Sequence, residues 1–208
     1  MISSGNKLFD NFFGGYHNEI TVIYGPAGSG KTTLAKLAAI HLSHYGRRVL
    51  FIDSEGGFSV DRYKQLAGAT YKRYLGYLVL QKPQSFHEQH RYISNILHLL
   101  DNIDLIIVDT IGSHYRAEFK KDIYAANMML EKQIRLLKEF SKHAPVILTN
   151  QVYADIKHNE IAMIGKNVIE PWAQKIICLD KNPRRIILKK PEQKQAYFNI
   201  IDKGITLL

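Results

Sequence analysis

Ile20-Thr21-Val22-Ile23-Tyr24-Gly25-Pro26-Ala27-Gly28-Ser29-Gly30-Lys31-Thr32-Thr33 decides the fold. Its first five residues are mostly β-branched or aromatic and stop at Gly25-Pro26, which predicts a buried strand. Past the loop, Leu34, Ala38 and Leu42 recur every four residues as one apolar helical face, and Gly46 supplies a stop. The residues from Gly25 to Thr32 satisfy G-x-x-x-x-G-K-[ST] in full, between a strand and a helix. Glycines there let the backbone wrap an anion so that successive N–H groups point inward, and the helix N-terminus adds partial positive charge. A glycine turn that only closes a strand-helix unit is the plainer alternative, and the complete motif in this setting argues against it. The reading is a P-loop for a nucleoside triphosphate, most simply Mg-ATP. Gly25, Pro26, Ala27, Gly28, Ser29 and Gly30 cradle the phosphates, Lys31 neutralises the β- and γ-oxygens, and Thr32, followed by Thr33, offers a hydroxyl to Mg²⁺.

Beyond this segment, Val49 to Ile52 reads as a second buried strand ending in Asp53-Ser54-Glu55, and Ser59 caps a short helix to about Gly68. Ser85 with Glu88 forms a capping-box pattern for a helix whose stripe is Phe86, Ile93, Leu97 and Leu100. Leu105-Ile106-Ile107-Val108-Asp109 is an unbroken apolar run, the signature of a parallel strand covered on both faces. A long helix comes next with Ile123, Leu130, Ile134 and Leu137 inward and Pro145 limiting it, then a strand at Val146 to Thr149. In the last third, Ile176 to Leu179, Arg185 to Leu188 and Ala196 to Ile201 read as short strands in hairpins or meanders. The fold class expected is α/β, a mostly parallel sheet flanked by helices and extended by antiparallel C-terminal strands. With 208 residues and neither repeat nor low-complexity linker, the chain suits one domain over 1–208.

Composition bounds the partners. Apolar residues at 46% and charged residues at 23% fit a packed protein and exclude a disordered or fibrous one. Lys plus Arg exceed Asp plus Glu by 28 to 19, and a surplus of +9 favours polyanions, with nucleic acid the obvious candidate. Charge that is only solubilising remains the alternative. Cys178, the sole cysteine, lies in Ile176-Ile177-Cys178-Leu179 and reads as a small core residue, which places the chain in a reducing, cytoplasmic setting. Met1-Ile2-Ser3-Ser4-Gly5 has no basic n-region, and no run approaches a membrane span, so no membrane partner is expected.

Further chemistry clusters after the strands. Asp109 is the expected Walker-B carboxylate, placed to hold a water of the Mg²⁺ shell. Glu55 lies just past a strand end, where ligands of open α/β sheets gather. From position alone it is either a general base that orients an attacking water or a solvated loop carboxylate. Gln151, after Asn150, is either a neutral sensor of the γ-phosphate or an exposed turn residue. Arg116, Lys120 and Lys121 in one segment, and Lys157 and Lys166 in another, give two basic loops for a nucleic-acid backbone, with Tyr115, Phe119 and Tyr153 available to stack on bases. A solvated charged face is the competing reading.

Four pieces in this order resemble a known family: Tyr24-Gly25-Pro26 with the P-loop, Ile52-Asp53-Ser54-Glu55-Gly56-Gly57-Phe58-Ser59, Ser113-His114-Tyr115-Arg116-Ala117-Glu118, and Thr149-Asn150-Gln151-Val152. They resemble the RecA-type recombinases, and most closely the short archaeal paralogues among them, over nearly the whole chain. The likeness extends to Gln195-Ala196-Tyr197-Phe198. It implies a RecA-like P-loop NTPase core and ATP and DNA binding in homologous recombination and repair. Glu55 then matches the catalytic glutamate, Gln151 the γ-phosphate sensor and Arg62 an arginine set against adenine, while the two basic stretches match the DNA-contacting loops. Full recombinases carry an N-terminal helical DNA-binding domain and a polymerisation linker, and their first loop holds a Gly-Arg-Gly segment. This chain starts almost at the core and has Lys120-Lys121-Asp122 there. Filaments of the usual kind and strand exchange are therefore not expected. The implied role is an accessory factor with feeble, DNA-modulated ATP turnover, or else a nucleotide-occupied adaptor for the main recombinase or a Holliday-junction nuclease.

Overall fold

In a computed structural model, residues 1–155 and 160–208 are described. The element order is α1 (Lys7–Phe13), β1 (Ile20–Tyr24), α2 (Lys31–His44), β2 (Val49–Asp53), α3 (Val60–Ala67), α4 (Tyr71–Leu75), β3 (Leu78–Gln81), α5 (Phe86–Ser94), β4 (Leu105–Asp109), α6 (Gly112–Phe119), α7 (Ile123–Phe140), β5 (Val146–Asn150), β6 (Val152–Asp155), β7 (Glu160–Met163), α8 (Lys166–Ile169), β8 (Lys175–Lys181), β9 (Arg184–Lys190), β10 (Lys194–Ile201) and β11 (Gly204–Leu207). Nine strands form one sheet in the order β11-β10-β9-β8-β1-β5-β4-β2-β3. Pairing is parallel from β3 across to β8 and antiparallel from β8 to β11, as the alternation of strands and helices predicts.

The apolar runs are explained by two cores, one on each face. Ile20, Val22, Leu50, Ile52, Ile106, Val108, Val146 and Leu148 meet Phe86, Ile93, Leu130, Ile134 and Leu137 from α5 and α7. The alternate residues Ile23, Val49, Phe51, Leu105, Ile107 and Ile147 meet Leu34, Ala38 and Leu42 of α2 and Phe9 and Phe13 of α1. Each such side chain taken from water contributes roughly 1.5–3 kcal/mol, so the sheet is held from both sides. Every P-loop strand neighbour therefore ends its parallel run at the same edge, which is where the chemistry collects.

Several expectations are corrected. The helix opened by Ser85 ends at Ser94 and tightens into a 3₁₀ segment over Asn95–Asn102. The side chains of Leu97 and Leu100 lie outside the described residues. Ser85 Oγ accepts from Glu88 N at 3.1 Å, but the Glu88 carboxylate accepts from Gln84 N at 2.7 Å, one residue earlier than a capping box requires. Ile123 is exposed rather than inward: it lies in the first turn of α7, capped by Asp122 Oδ1 accepting from Ala125 N, and Ala126 is the first residue of the helix to enter the core. Cys178 is half-buried, on the face of β8 opposite Ile177 and Leu179. Burial and the nearby Asp180 push its thiol above the usual cysteine range, which does not suit a nucleophile. Short elements with weak patterns, α1, α4, β3, β6, β7, α8 and β11, are not legible in the sequence. Among the described residues no helix is long and apolar enough to cross a membrane.

Candidate functional site

Gly25 follows the last residue of β1, and a β-carbon there would come within 2.2 Å of Leu179 O on β8, so only glycine lets the chain turn out of the sheet. The loop then enters α2 at Lys31 through Gly30, which sits at φ 107°. Lys31 is buried, and its ammonium donates to the carbonyls of Gly25 and Pro26, each at 2.9 Å. Burial lowers its affinity for the proton, while Glu55 and Asp109 work the other way. Ser29 is buried with an unpartnered hydroxyl, Ala27 and Gly28 are exposed at the loop apex, and Pro26, Thr32 and Thr33 are half-buried.

Asp109 ends β4 and is almost wholly buried. Thr32 Oγ1 donates to its Oδ2 at 2.8 Å, and Thr149 Oγ1, from the end of β5, donates to its Oδ1. Burial pushes the Asp109 carboxyl above the ordinary range, the two threonine hydroxyls pull it back, and Glu55 and Asp53 add to the rise. The hydroxyl and carboxylate of Thr32 and Asp109 are hard oxygen donors meeting at one point, which is the set that suits Mg²⁺.

Glu55 is exposed beyond β2, and its loop is fixed from below. The Asp53 carboxylate accepts from Gly57 N at 3.0 Å and Phe58 N at 2.9 Å, and Ser54 N donates to Asp109 O at 2.9 Å. Buried Lys36 places its ammonium 4.7 Å from the centre of the Phe58 ring. Glu55 Oε1 accepts from Thr110 Oγ1 at 2.8 Å and from Gln151 Nε2 at 2.6 Å. The structure thus brings Lys31, Thr32, Glu55, Asp109 and Gln151 to one edge from four strand ends. Sequence reasoning missed Thr110 and Thr149, although each directly adjoins a residue already singled out at a strand end.

Asn150 is buried and joins this cluster to the β6–β7 hairpin. Its Oδ1 accepts from Gln151 N at 2.9 Å, and its Nδ2 donates at 2.7 Å to Ile164 O, just past β7. The same Oδ1 would be 2.5 Å from a β-carbon on Gly112, the first residue of α6. Arg62 stands apart from the phosphate loop: Nη1 donates to Asp202 O at 3.0 Å and Nη2 to Ile201 O at 3.1 Å, at the end of β10 and the start of the turn that follows it.

The expected basic loops are partly structured. Arg116 lies on α6 rather than in a loop, and Lys120 and Lys121 come after the end of that helix. Lys121 pairs with Glu118 at 3.2 Å, and Lys166, the first residue of α8, lies 3.9 Å from Glu170. Tyr115 is buried, its ring centre 5.4 Å from that of Phe119, while Tyr153 on the hairpin is exposed. Lys157 lies outside the described residues.

A central P-loop strand between β5 and β8, with β4 beyond β5 and antiparallel strands at the far edge, defines a RecA-like P-loop core. The Rad51 family model matches residues 1–205, and the chain belongs to that family. It is 31% identical to the DNA repair and recombination protein RadB of Methanobrevibacter smithii, over 96% of this chain and 93% of that protein. It is 35% identical to the protein of the same name from Thermococcus kodakarensis, over 99% and 98%. A solved structure titled as the RadB recombinase superposes with a TM-score of 0.81 at 32% identity, covering 99% of this chain and 98% of that one.

Proposed function

We propose that this chain is an ATP-binding accessory protein of DNA repair and homologous recombination, in which bound Mg-ATP controls DNA affinity and is slowly hydrolysed. The observation that carries it is the hydrogen-bonded chain Thr110–Glu55–Gln151, standing beside Lys31 and the Thr32–Asp109 pair and running directly into the β6–β7 hairpin. The names of the RadB relatives and the +9 charge support the DNA partner.

Thr32 and Asp109 would hold Mg²⁺, which supplies neutralisation of phosphate charge. Lys31 leaves its own loop carbonyls for phosphate oxygens, trading two neutral acceptors for charged ones. Glu55 keeps Oε1 on Thr110, leaving Oε2 to accept a proton from water. Gln151, with a neutral amide, exchanges Glu55 for a phosphate oxygen without adding repulsion, and Asn150 passes its movement to the hairpin and to α6. Arg62, with both terminal nitrogens tied to carbonyls, is held as a plane against which an adenine base can stack.

DNA binding measured with no nucleotide, with ADP and with a non-hydrolysable ATP analogue, each over a salt series and beside Lys31→Ala, tests this. Binding that tracks the nucleotide, weakens with salt and loses its nucleotide response in the variant is the expected result. DNA binding that is absent with every nucleotide sinks the proposal. The exposed apolar group Ile123, Tyr124 and Met128 on α7 favours a second reading, a nucleotide-occupied adaptor for the main recombinase or a Holliday-junction nuclease. Under it, Glu55→Gln leaves function unchanged.

A further inference from the structure

The turn joining β8 to β9 carries two cations over the P-loop, and neither takes part in the strand-end cluster. Lys181 and Arg184 face each other across the hairpin. Arg184 Nη1 donates to Gly28 O at 3.1 Å, and the Lys181 ammonium lies 3.6 Å from where a side chain on Gly28 would begin. The adjacent Arg185 is engaged by Asp180 at 2.7 Å, whereas among the described residues no carboxylate pairs with Lys181 or Arg184. Gly28 is the fourth residue of the motif and is exposed at the loop apex, so both charges gather at that apex, apart from the Gly25 and Pro26 carbonyls that Lys31 holds.

Resting on the nucleotide reading above, we propose that this turn is a second cationic arm of the phosphate site. Lys181 reaches the terminal phosphate of a nucleoside triphosphate, and Arg184 is a positioning residue that holds the loop apex beneath it. The physical reason is charge placement. A triphosphate presents its extra negative charge at the outer end of the chain, and an exposed, unpaired ammonium on a flexible stem closes on it without first breaking an ion pair. A diphosphate ends short of the arm and gains little from it. This chain then distinguishes the two nucleotides with its own residues.

Equilibrium binding of Mg²⁺-bound ADP and of the γ-thio analogue of ATP to the full chain tests the arm, with Lys181→Ala, Lys181→Arg and Arg184→Lys alongside. Lys181→Ala is expected to weaken triphosphate binding about tenfold and ADP binding by less than about twofold, with Lys181→Arg restoring most of the difference. Arg184→Lys, which keeps the charge and loses the planar fork, is expected to weaken both nucleotides alike. Equal losses for the two nucleotides in Lys181→Ala, or no loss, overturn the arm while leaving the nucleotide site standing. Failure of the unaltered chain to bind either nucleotide overturns the site itself, and the arm with it.

Discussion

Glu55 Oε1 is committed to Thr110 and Gln151, so its chemistry rests on the remaining oxygen. Glu55→Gln should lower ATP turnover by roughly 10²–10⁴-fold while nucleotide affinity stays within about twofold, read by phosphate release and equilibrium binding. Asp109 makes a prediction of a different kind, because its site works against the fold. Burial raises its folded pKa above the ordinary carboxylate value. Below that ordinary value both folded and unfolded chains are protonated there, and nothing is lost. As pH rises, the unfolded chain ionises first and stability falls until the folded carboxyl ionises too. Asp109→Asn escapes this loss, so its thermal midpoint should exceed that of the unaltered chain at pH 7, and the margin should shrink as pH falls toward 4. A margin that grows on acidification would contradict the assignment.

Elements meet at Asn150, where β5, the β6–β7 hairpin and the start of α6 share one side chain. Gly112→Ala forces a methyl to within 2.5 Å of Asn150 Oδ1 and close to Ile164. Denaturation by urea should show a loss of roughly 1–3 kcal/mol, the usual cost of overpacking. Nucleotide binding should survive, because the phosphate loop is untouched, whereas any nucleotide response of DNA binding should be blunted. The α6–α7 region also shows where sequence patterns stop being informative. Ile123 falls on the helical stripe with Leu130, Ile134 and Leu137, yet only the last three are buried. Periodicity states which face an amphipathic helix turns inward; it does not state at which turn that face begins to be covered.

For the whole molecule, charge is the quantity that matters. Arg116 and Lys120 have no carboxylate partner among the described residues, while Lys121 and Lys166 lie beside Glu118 and Glu170. Exposed pairs of this sort are worth little and open easily to a polyanion. If these residues contact a nucleic-acid backbone, Lys120→Ala with Lys121→Ala should reduce the slope of log K against log salt by about 1–2, without changing sequence preference. A slope that does not move would assign the surplus charge to solubility.

The phosphate loop and the strands of the parallel core are written in the chain itself. Gly25 to Thr32 is a local motif whose conformation is set by its neighbours in sequence, and unbroken runs such as Leu105-Ile106-Ile107-Val108 are demanded by burial on both faces of a strand. The partners of the reactive groups are settled only when the sheet assembles. Thr110 on Glu55, Thr149 on Asp109, Arg62 on the β10–β11 turn and Arg184 on Gly28 join residues 40 to 156 positions apart, or 139 and 140 in the case of Arg62. Such pairs leave no periodic trace in the chain, because hydrogen bonds between strand ends depend on which strands the sheet makes neighbours, and that choice is made by packing across the whole core.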